Sequence, residues 1–410
     1  MSVARALVTV VALSGAVLLA RLGAGAGAAA APPAKTGAAL SPSFAALGAR
    51  PTLASTVNAG VFYYTWYAPI VHPGHWWQGY ANNPKLGEYS SADPAIAELH
   101  NGILDMGDGP TKNILLIEWW GSDTPAGKWL EEGWLLAPSS QKLQFAVVYD
   151  VAVRMWEKFG TVPERGFDLA NDTVRFTIIE DIVDAVDRFA KLPNYLHIGG
   201  EPVIYIYLAR EMRGLVREVM PAVRRHTEAR TGKVPYIIGD ELQWSALGNP
   251  PAFMERAVAY DAVTCFSCYD KRVAAQAAGS AERYAGMLAE HLYPAVLEMV
   301  TQATTDRARP LAFVPSVFPQ FDDHAIRVGN PRLHLVEYEK QFSRMLERAA
   351  TFATPLWPES WGMVAVYSFN EWHEGTTIEE TAAGTVTNTG HAQYGTSLLS
   401  SLQAYHASRR

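Results

Sequence analysis

The chain has 410 residues, 49% of them hydrophobic, which excludes global disorder and leaves room for one large domain or two ordinary ones. Its formal net charge of −7 provides no basic footprint for nucleic acid and no polybasic attraction to an anionic membrane. The 12 Trp and 18 Tyr, several of them near the ends of predicted strands, suit stacking on sugar faces as well as filling a large core.

Residues 1–31 read as an export signal: Arg5 supplies the positive end, Ala6 to Ala20 the apolar stretch, and the small residues Gly23 to Ala31 the cleavage region. The apolar stretch is short for a membrane span, although Arg21 directly after it keeps an uncleaved anchor open as the alternative. The expectation is an exported protein: secreted, periplasmic or associated with the cell envelope. Residues 32–56, rich in Ala, Pro, Gly and Ser, are expected to be a flexible leader to a folded domain spanning 57–410.

From Gly60 on, apolar runs alternate with amphipathic stretches. Strands are predicted over 60–67, 112–120, 143–151, 202–208, 234–241, 261–269, 310–318 and 362–372. Near-continuous apolar runs of this kind suit parallel strands covered on both faces. Helices are predicted over Pro94–Met106, Val174–Leu192, Arg210–Thr231, Ser280–Thr304 and Arg332–Phe352. The second of these carries Ile178, Ile182, Ala185, Val186 and Phe189 on one stripe, the pattern of a helix packed on a sheet. The pattern points to the α/β class: a single (β/α)8 TIM barrel with extended βα loops. A doubly wound open sheet is the rival, but no Gly-x-Gly-x-x-Gly run follows the first strand. The only two cysteines, Cys265 and Cys268, fall within the sixth predicted strand. There they would point to opposite faces about 10 Å apart, too far to bridge.

Polar groups stand at the predicted strand ends: Tyr67, Glu118, Asp150, Asp240, Glu241, Tyr269 and Glu371. In a barrel these ends converge on the face where active sites lie. The eighth strand runs into "SFNEWHEGTTIEE", with Glu371 and Glu374 three residues apart. On a continuing strand they would face opposite ways, so sharing a cavity requires the chain to leave the strand near Trp372, and Gly375 supports a turn there. Two carboxylates brought close raise one pKa and favour one proton between them, the arrangement for an acid–base pair. A solvated acidic loop, or a metal site of Glu371, His373 and Glu374, would also account for the motif. No His-Glu-x-x-His or clustered Cys/His spacing strengthens the metal reading, and no cofactor is called for.

"SFNEWHEGTTIE" resembles the motif of glycoside hydrolase family 99, the endo-α-1,2-mannosidases and mannanases. "FYYTWY", "HWW", "LGEYSSADPAIAELH" and "FVPSVFPQFDDHAIR" resemble further stretches of that family in the same order, so the resemblance runs from about Val61 to Tyr405. It implies a (β/α)8 barrel and hydrolysis with retention and without an enzyme nucleophile. Glu371 would deprotonate the sugar 2-hydroxyl, which attacks C1 to give a 1,2-anhydro sugar, while Glu374 protonates the leaving oxygen and then activates water. Three departures border the sugar subsites. The family's His-Ile-Glu-Pro-Tyr run on strand three is replaced by "VVYDV", so that either Asp150, one position along and one methylene shorter, substitutes for the glutamate or that contact is lost. "IEWWG" on strand two adds Glu118 beside Trp119, and the loop after strand seven keeps Arg327 but lacks the family's Trp.

The candidate catalytic residues are therefore Glu371 and Glu374. The candidate substrate-binding residues are Tyr64, Trp66, Tyr67, His75, Trp76, Glu118, Trp119, Asp150, Arg327, Trp372 and His373. The expected partner is an α-linked oligosaccharide or polysaccharide, with no nucleic acid and no stable protein partner. Two functions stay open: an exported glycoside hydrolase of internal α-mannosidic or related bonds, and a catalytically weak glycan-binding barrel.

Overall fold

The computed structural model describes residues 52–68, 77, 83–160, 166–266, 268–304, 309–324, 340–382 and 395–409. The predicted export segment 1–31, nearly all of the leader, and the candidate residues His75, Trp76 and Arg327 lie outside the described residues.

Eight short runs rich in Val, Ile and aromatics form the parallel strands of a closed barrel. They are β1 (Thr56–Tyr63), β2 (Asn113–Trp119), β3 (Gln144–Asp150), β4 (Glu201–Tyr207), β5 (Tyr236–Asp240), β6 (Ala262–Thr264), β7 (Ala312–Val314) and β8 (Trp361–Val366). Each pairs with the next in parallel from β1 through β7. Beyond Pro315, β7 resumes as Ser316–Val317 to pair with β8, and β8 pairs with β1, which closes the ring. The predicted (β/α)8 barrel is the fold observed, and the open-sheet rival is excluded by that last seam.

Register decides which side chains face the axis. Phe62 pairs with Leu116, Leu116 with Ala146, Glu118 with Val148, Val148 with Tyr205 and Tyr205 with Ile238. The Phe62 ring meets Tyr205 and Phe266 edge-on, so this set fills the interior. Period two then turns Trp119 and Tyr149 outward against the helix Asp172–Phe189, Trp119 onto Phe189 and the Tyr149 hydroxyl onto Asp181. That helix buries Ile178, Ile182, Ala185, Val186 and Phe189, the predicted stripe. Its N-cap is Asn171, which accepts from the N–H groups of Thr173 and Val174.

The structure corrects several sequence expectations. Strand three stops at Asp150 because that side chain caps a helix beginning at Val151. The helix expected over 280–304 is divided by a π-turn, Leu288–Leu292. Strand eight ends at Val366, six residues before Trp372. The two cysteines are disulfide-bonded with Cα atoms 5.2 Å apart, which overturns the strand argument. Strand six ends at Thr264, so alternation no longer applies, and Cys268 turns back with φ 49°. Helices at Pro125–Glu132, Val151–Phe159, Pro250–Ala257, Lys271–Gln276 and Ser397–Ala407 had no counterpart in the sequence reading.

At the N-terminal end of the barrel, Arg309 donates to both carboxylate oxygens of Glu201 and to Asp261, and Arg224 donates to Asp261 as well. The last helix seals the base under β1 and β2: the Tyr405 hydroxyl donates to the Val57 carbonyl, and His406 bonds to Thr111 and Asn113. Among the described residues no helix is long and apolar enough to cross a membrane.

Gly239 faces outward on β5 beneath the buried Tyr260 ring, where an added Cβ would lie 2.8 Å from two ring carbons. Gly239→Ala should therefore lower stability by about 1–3 kcal/mol, the usual cost of overpacking, read as a fall in the urea midpoint at unchanged m-value. An unchanged midpoint would show that the ring is free to withdraw.

Candidate active site

Past Val366 the backbone leaves β8 without losing its hold on β1. Phe369 N–H donates to the Phe62 carbonyl, and the Asn370 side chain then takes over. Its oxygen accepts from Tyr64 N–H at 2.8 Å, and its nitrogen donates to the Tyr64 carbonyl at 3.0 Å. On the other side Ser368 N–H reaches Thr376 O, and Ile378 N–H reaches Ser368 O, so residues 368–378 fold back on themselves. Gly375 supports the reversal with φ 61°; a Cβ there would lie 3.1 Å from the Asp322 carbonyl oxygen.

This reversal carries both candidate acids. The Glu371 N–H is held by Ser368 Oγ at 2.8 Å. Glu371 Oε1 accepts from the N–H of His373 at 3.0 Å and of Glu374 at 3.3 Å, with His373 Nδ1 at 3.3 Å. Glu374 accepts the Tyr367 hydroxyl at 2.5 Å, and its own carbonyl accepts from Asp322 N–H. Burial pushes the Glu371 carboxyl above its ordinary range; His373 opposes the shift, and the Glu374 charge adds to it. The Tyr367 hydroxyl is driven up by burial and then by the charges of Glu374, to which it donates, and of Glu371.

Opposite them, the axis-facing register ends in a polar rim. Glu118 and Asp150 lie on neighbouring strands with the same facing, followed by Tyr207, which pairs with Asp150, and by Asp240. The Glu118 and Asp150 carboxyls are both buried, and each shifts the protonation of the other. Glu118 Oε1 accepts from Trp120 Nε1 at 2.8 Å, while Asp150 Oδ1 accepts from Ala152 and Val153 N–H at 2.8 and 3.0 Å. Burial raises both groups. The Asp150 charge raises Glu118 further, whereas the helix N–H groups pull Asp150 back, so Glu118 keeps the proton and Asp150 the charge. Asp240 ties the rim together, accepting from Leu208 N–H, Phe266 N–H and the Arg210 guanidinium.

Among the other sequence candidates, Tyr64 is buried over the mouth and Trp66 stacks on it at 4.2 Å, with Trp120 5.6 Å from Trp66. His373 lies against Trp66 and stacks over Tyr67. Tyr67 has no exposed surface; its hydroxyl donates to the Asn370 carbonyl at 2.6 Å, so it holds the turn rather than a ligand. Two further assignments need correction. Trp119 points outward and packs behind the sheet. Trp372 is fully buried, with its indole N–H directed at Glu379 and Tyr89. Glu379, which the solvated-loop alternative would expose, is buried and bonds to Tyr89 and His100, and His100 in turn bonds to the Tyr63 hydroxyl.

Sequence reasoning missed Tyr367, Tyr207, Asn370 and Ser368. Tyr367 and Tyr207 were within reach of the period-two argument, since each continues the inward facing of its strand. Asn370 and Ser368 act through hydrogen bonds in an irregular turn, for which no periodicity exists. Among the described residues no group of three or more His, Cys, Asp or Glu is placed to hold a metal ion.

The carboxyl pair makes a stability prediction. A carboxyl raised in the folded state binds its proton more tightly there than in the unfolded chain. Stability is therefore fullest below the unfolded pKa and falls as pH rises through the folded one. Glu118→Gln keeps a donor toward Asp150 and removes the titration. It should match wild type at pH 4 and exceed it at pH 8, by about 2 °C or more in Tm. A variant less stable than wild type at pH 8 would contradict the proton assignment.

A family profile described as "Glycosyltransferase WbsX" matches residues 143–386, more than half of the chain. None of the curated proteins matches the sequence. A solved "Glycoside hydrolase-like protein" superimposes with TM-score 0.62 at 19% identity, covering 87% of this chain and 96% of its own. The GH99 endo-alpha-mannosidase of Bacteroides thetaiotaomicron superimposes with TM-score 0.58 at 20% identity, covering 86% of this chain and 98% of its own. At such identities the likeness establishes the barrel fold, as the family 99 resemblance implied. The matched span reaches from β3 through the Glu371–Glu374 turn, and the chain belongs to the family described as Glycosyltransferase WbsX, built on the barrel of the family 99 endo-α-mannosidases.

Proposed function

We propose that this chain is an exported retaining glycoside hydrolase acting on internal α-mannosidic or related α-linked bonds. The observation that carries the reading is the single turn presenting Glu371 and Glu374 at the C-terminal mouth, Glu371 buried and Glu374 bonded to Tyr367. Two carboxyls serving as separate base and acid need different environments, and these two have them.

In the first step Glu371 takes the proton of the sugar 2-hydroxyl. The 2-oxygen forms a bond to C1 as the C1–leaving-group bond breaks, and Glu374 gives its proton to the departing oxygen. In the second, Glu374 takes a proton from water, the water oxygen bonds to C1 as the bond between C1 and the 2-oxygen breaks, and Glu371 returns its proton to the 2-oxygen. Burial favours this use of Glu371, because a carboxylate with a raised pKa is the stronger base. The same shift moves the acid limb of kcat/KM: the rate falls as Glu371 is protonated, at a pH above the ordinary glutamate value of about 4.3.

The family's description favours a second reading, in which a sugar hydroxyl replaces water in the second step. Both readings share the first. Incubation with a panel of mannans and other α-linked glycans, with and without added acceptor sugars, separates them: new reducing ends mean hydrolysis, and elongated acceptor means transfer. Binding without either product would favour the glycan-binding barrel. For export, mass analysis of the N-terminus recovered outside the cytoplasm should show processing near residues 28–31.

Glu374→Gln should lose a hundredfold or more on a glycan, whose leaving group needs a proton, and recover substantially in the first step on an activated aryl glycoside. Glu371→Gln should be slow on both, and a 2-deoxy substrate should fail with the wild type. Variants responding alike to the leaving group would reverse the assignment. Dialysis against a chelator should leave activity intact; loss restored by one divalent ion would revive the metal reading of Glu371, His373 and Glu374.

A further inference from the structure

We propose that the carboxyl pair Glu118–Asp150, together with the Tyr64 hydroxyl, is a subsite for a positively charged amino group carried by the glycan. This rests on the reading that the mouth binds a glycan and goes beyond it by naming a substituent.

The argument begins with the remaining acceptors. Trp120 occupies Glu118 Oε1, and two helix N–H groups occupy Asp150 Oδ1. The second oxygen of each acid remains, with one proton between the two groups. Among the described residues no lysine, arginine or histidine donates to either acid. Asp240 at the same rim differs, since Arg210 answers its charge. Replacing one strand-three acid by Asp150 while adding Glu118 has thus produced a buried pair neutralised only by a proton and a helix N-terminus.

An independent observation points to a ligand. The Tyr64 hydroxyl is buried, with 2% of the residue exposed, and has no hydrogen-bond partner. The Tyr64 ring stacks on Trp66, which lies against Trp120, the donor to Glu118, so the ring stands beside the Glu118 wall of the mouth; burial raises its pKa, and the charges of Tyr367, Glu118 and Glu371 raise it further. A buried hydroxyl left unpaired costs stability, and a bound group would satisfy it. The two free carboxyl oxygens and the tyrosine oxygen together offer three acceptors, the number of N–H donors on a primary ammonium. Binding is then an exchange: R–NH3+ enters, its three N–H groups donate to the three oxygens, and the shared proton leaves to solvent. A neutral hydroxyl has one donor and cannot replace that proton.

The test is calorimetric titration of the full-length protein at pH 7. The probes are methyl α-mannosides carrying a free amine at C3, C4 or C6, each beside its N-acetyl counterpart and the parent mannoside. At least one amine should bind about tenfold or more tightly than both counterparts, the scale of one charge-assisted hydrogen bond. Buffers of different ionisation enthalpy should reveal release of up to one proton. Glu118→Gln and Asp150→Asn should each reduce the preference to within about twofold. Asn retains the N-cap, so unchanged circular dichroism is expected of the second variant. Equal binding of amine and parent, binding of no probe, or a preference surviving both substitutions would overturn the proposal. Parent bound and hydrolysed without an amine preference removes only this inference. A preference without any turnover removes the hydrolase reading and leaves the subsite.

Discussion

The paired hydrogen bonds between the Asn370 side chain and the Tyr64 backbone are the interaction on which the site depends. A barrel closes only if β8 stays joined to β1, yet an active site needs the chain to leave that strand and turn across the mouth. A primary amide presents one donor and one acceptor in the geometry of a peptide group, so Asn370 extends the ladder with a side chain while its backbone departs. Tyr67 secures the same point from below, donating to the Asn370 carbonyl and accepting from Trp372 N–H. Behind the turn, Glu379, Tyr89 and His100 form a buried polar network beneath Trp372. Such networks are costly when incomplete and rigid when satisfied. Glu371 and Glu374 are thereby held by groups that have no other evident task.

The second constraint is the price of gathering acids in a dry mouth. Glu371, Glu118 and Asp150 are all raised by burial, so each is less stable charged here than in water. The protein meets that cost in three ways. Glu371 receives two turn N–H groups and His373; Asp150 receives a helix N-terminus; Glu118 retains a proton. A purely structural solution would have placed apolar residues at these inward positions, as the layer beneath does with Phe62, Leu116 and Ala146. The contrast between the two layers separates the part of the barrel that stabilises from the part that works.

The fold was legible because parallel strands buried on both faces must be apolar throughout, and eight such runs separated by amphipathic stretches leave few topologies. The facing of individual residues was legible only where the strand assignment was right. Trp119 follows from period two once Glu118 is placed inward, and listing both as ligands ignored that rule. Trp372 and the cysteines depart from the sequence expectation for one reason: strands eight and six end at Val366 and Thr264, beyond which side chains such as Asn370 and Asp240 assume the hydrogen bonding and alternation no longer holds. The short helix after β3 escaped notice because its cap, Asp150, was read only as a ligand.

Asp150 shows why a residue's structural duty does not exclude a chemical one. One of its oxygens caps a helix, and that bond fixes the carboxylate's orientation as a free rotamer would not. Glu118 lies on the neighbouring strand with the same facing. Asp150 keeps its charge against the helix N-terminus, and Glu118 on the next strand keeps the proton. The two departures from the family pattern thus stand side by side on the wall of the mouth, apart from the Glu371–Glu374 turn. A barrel can change the glycan it receives in this way without changing the groups that break the bond.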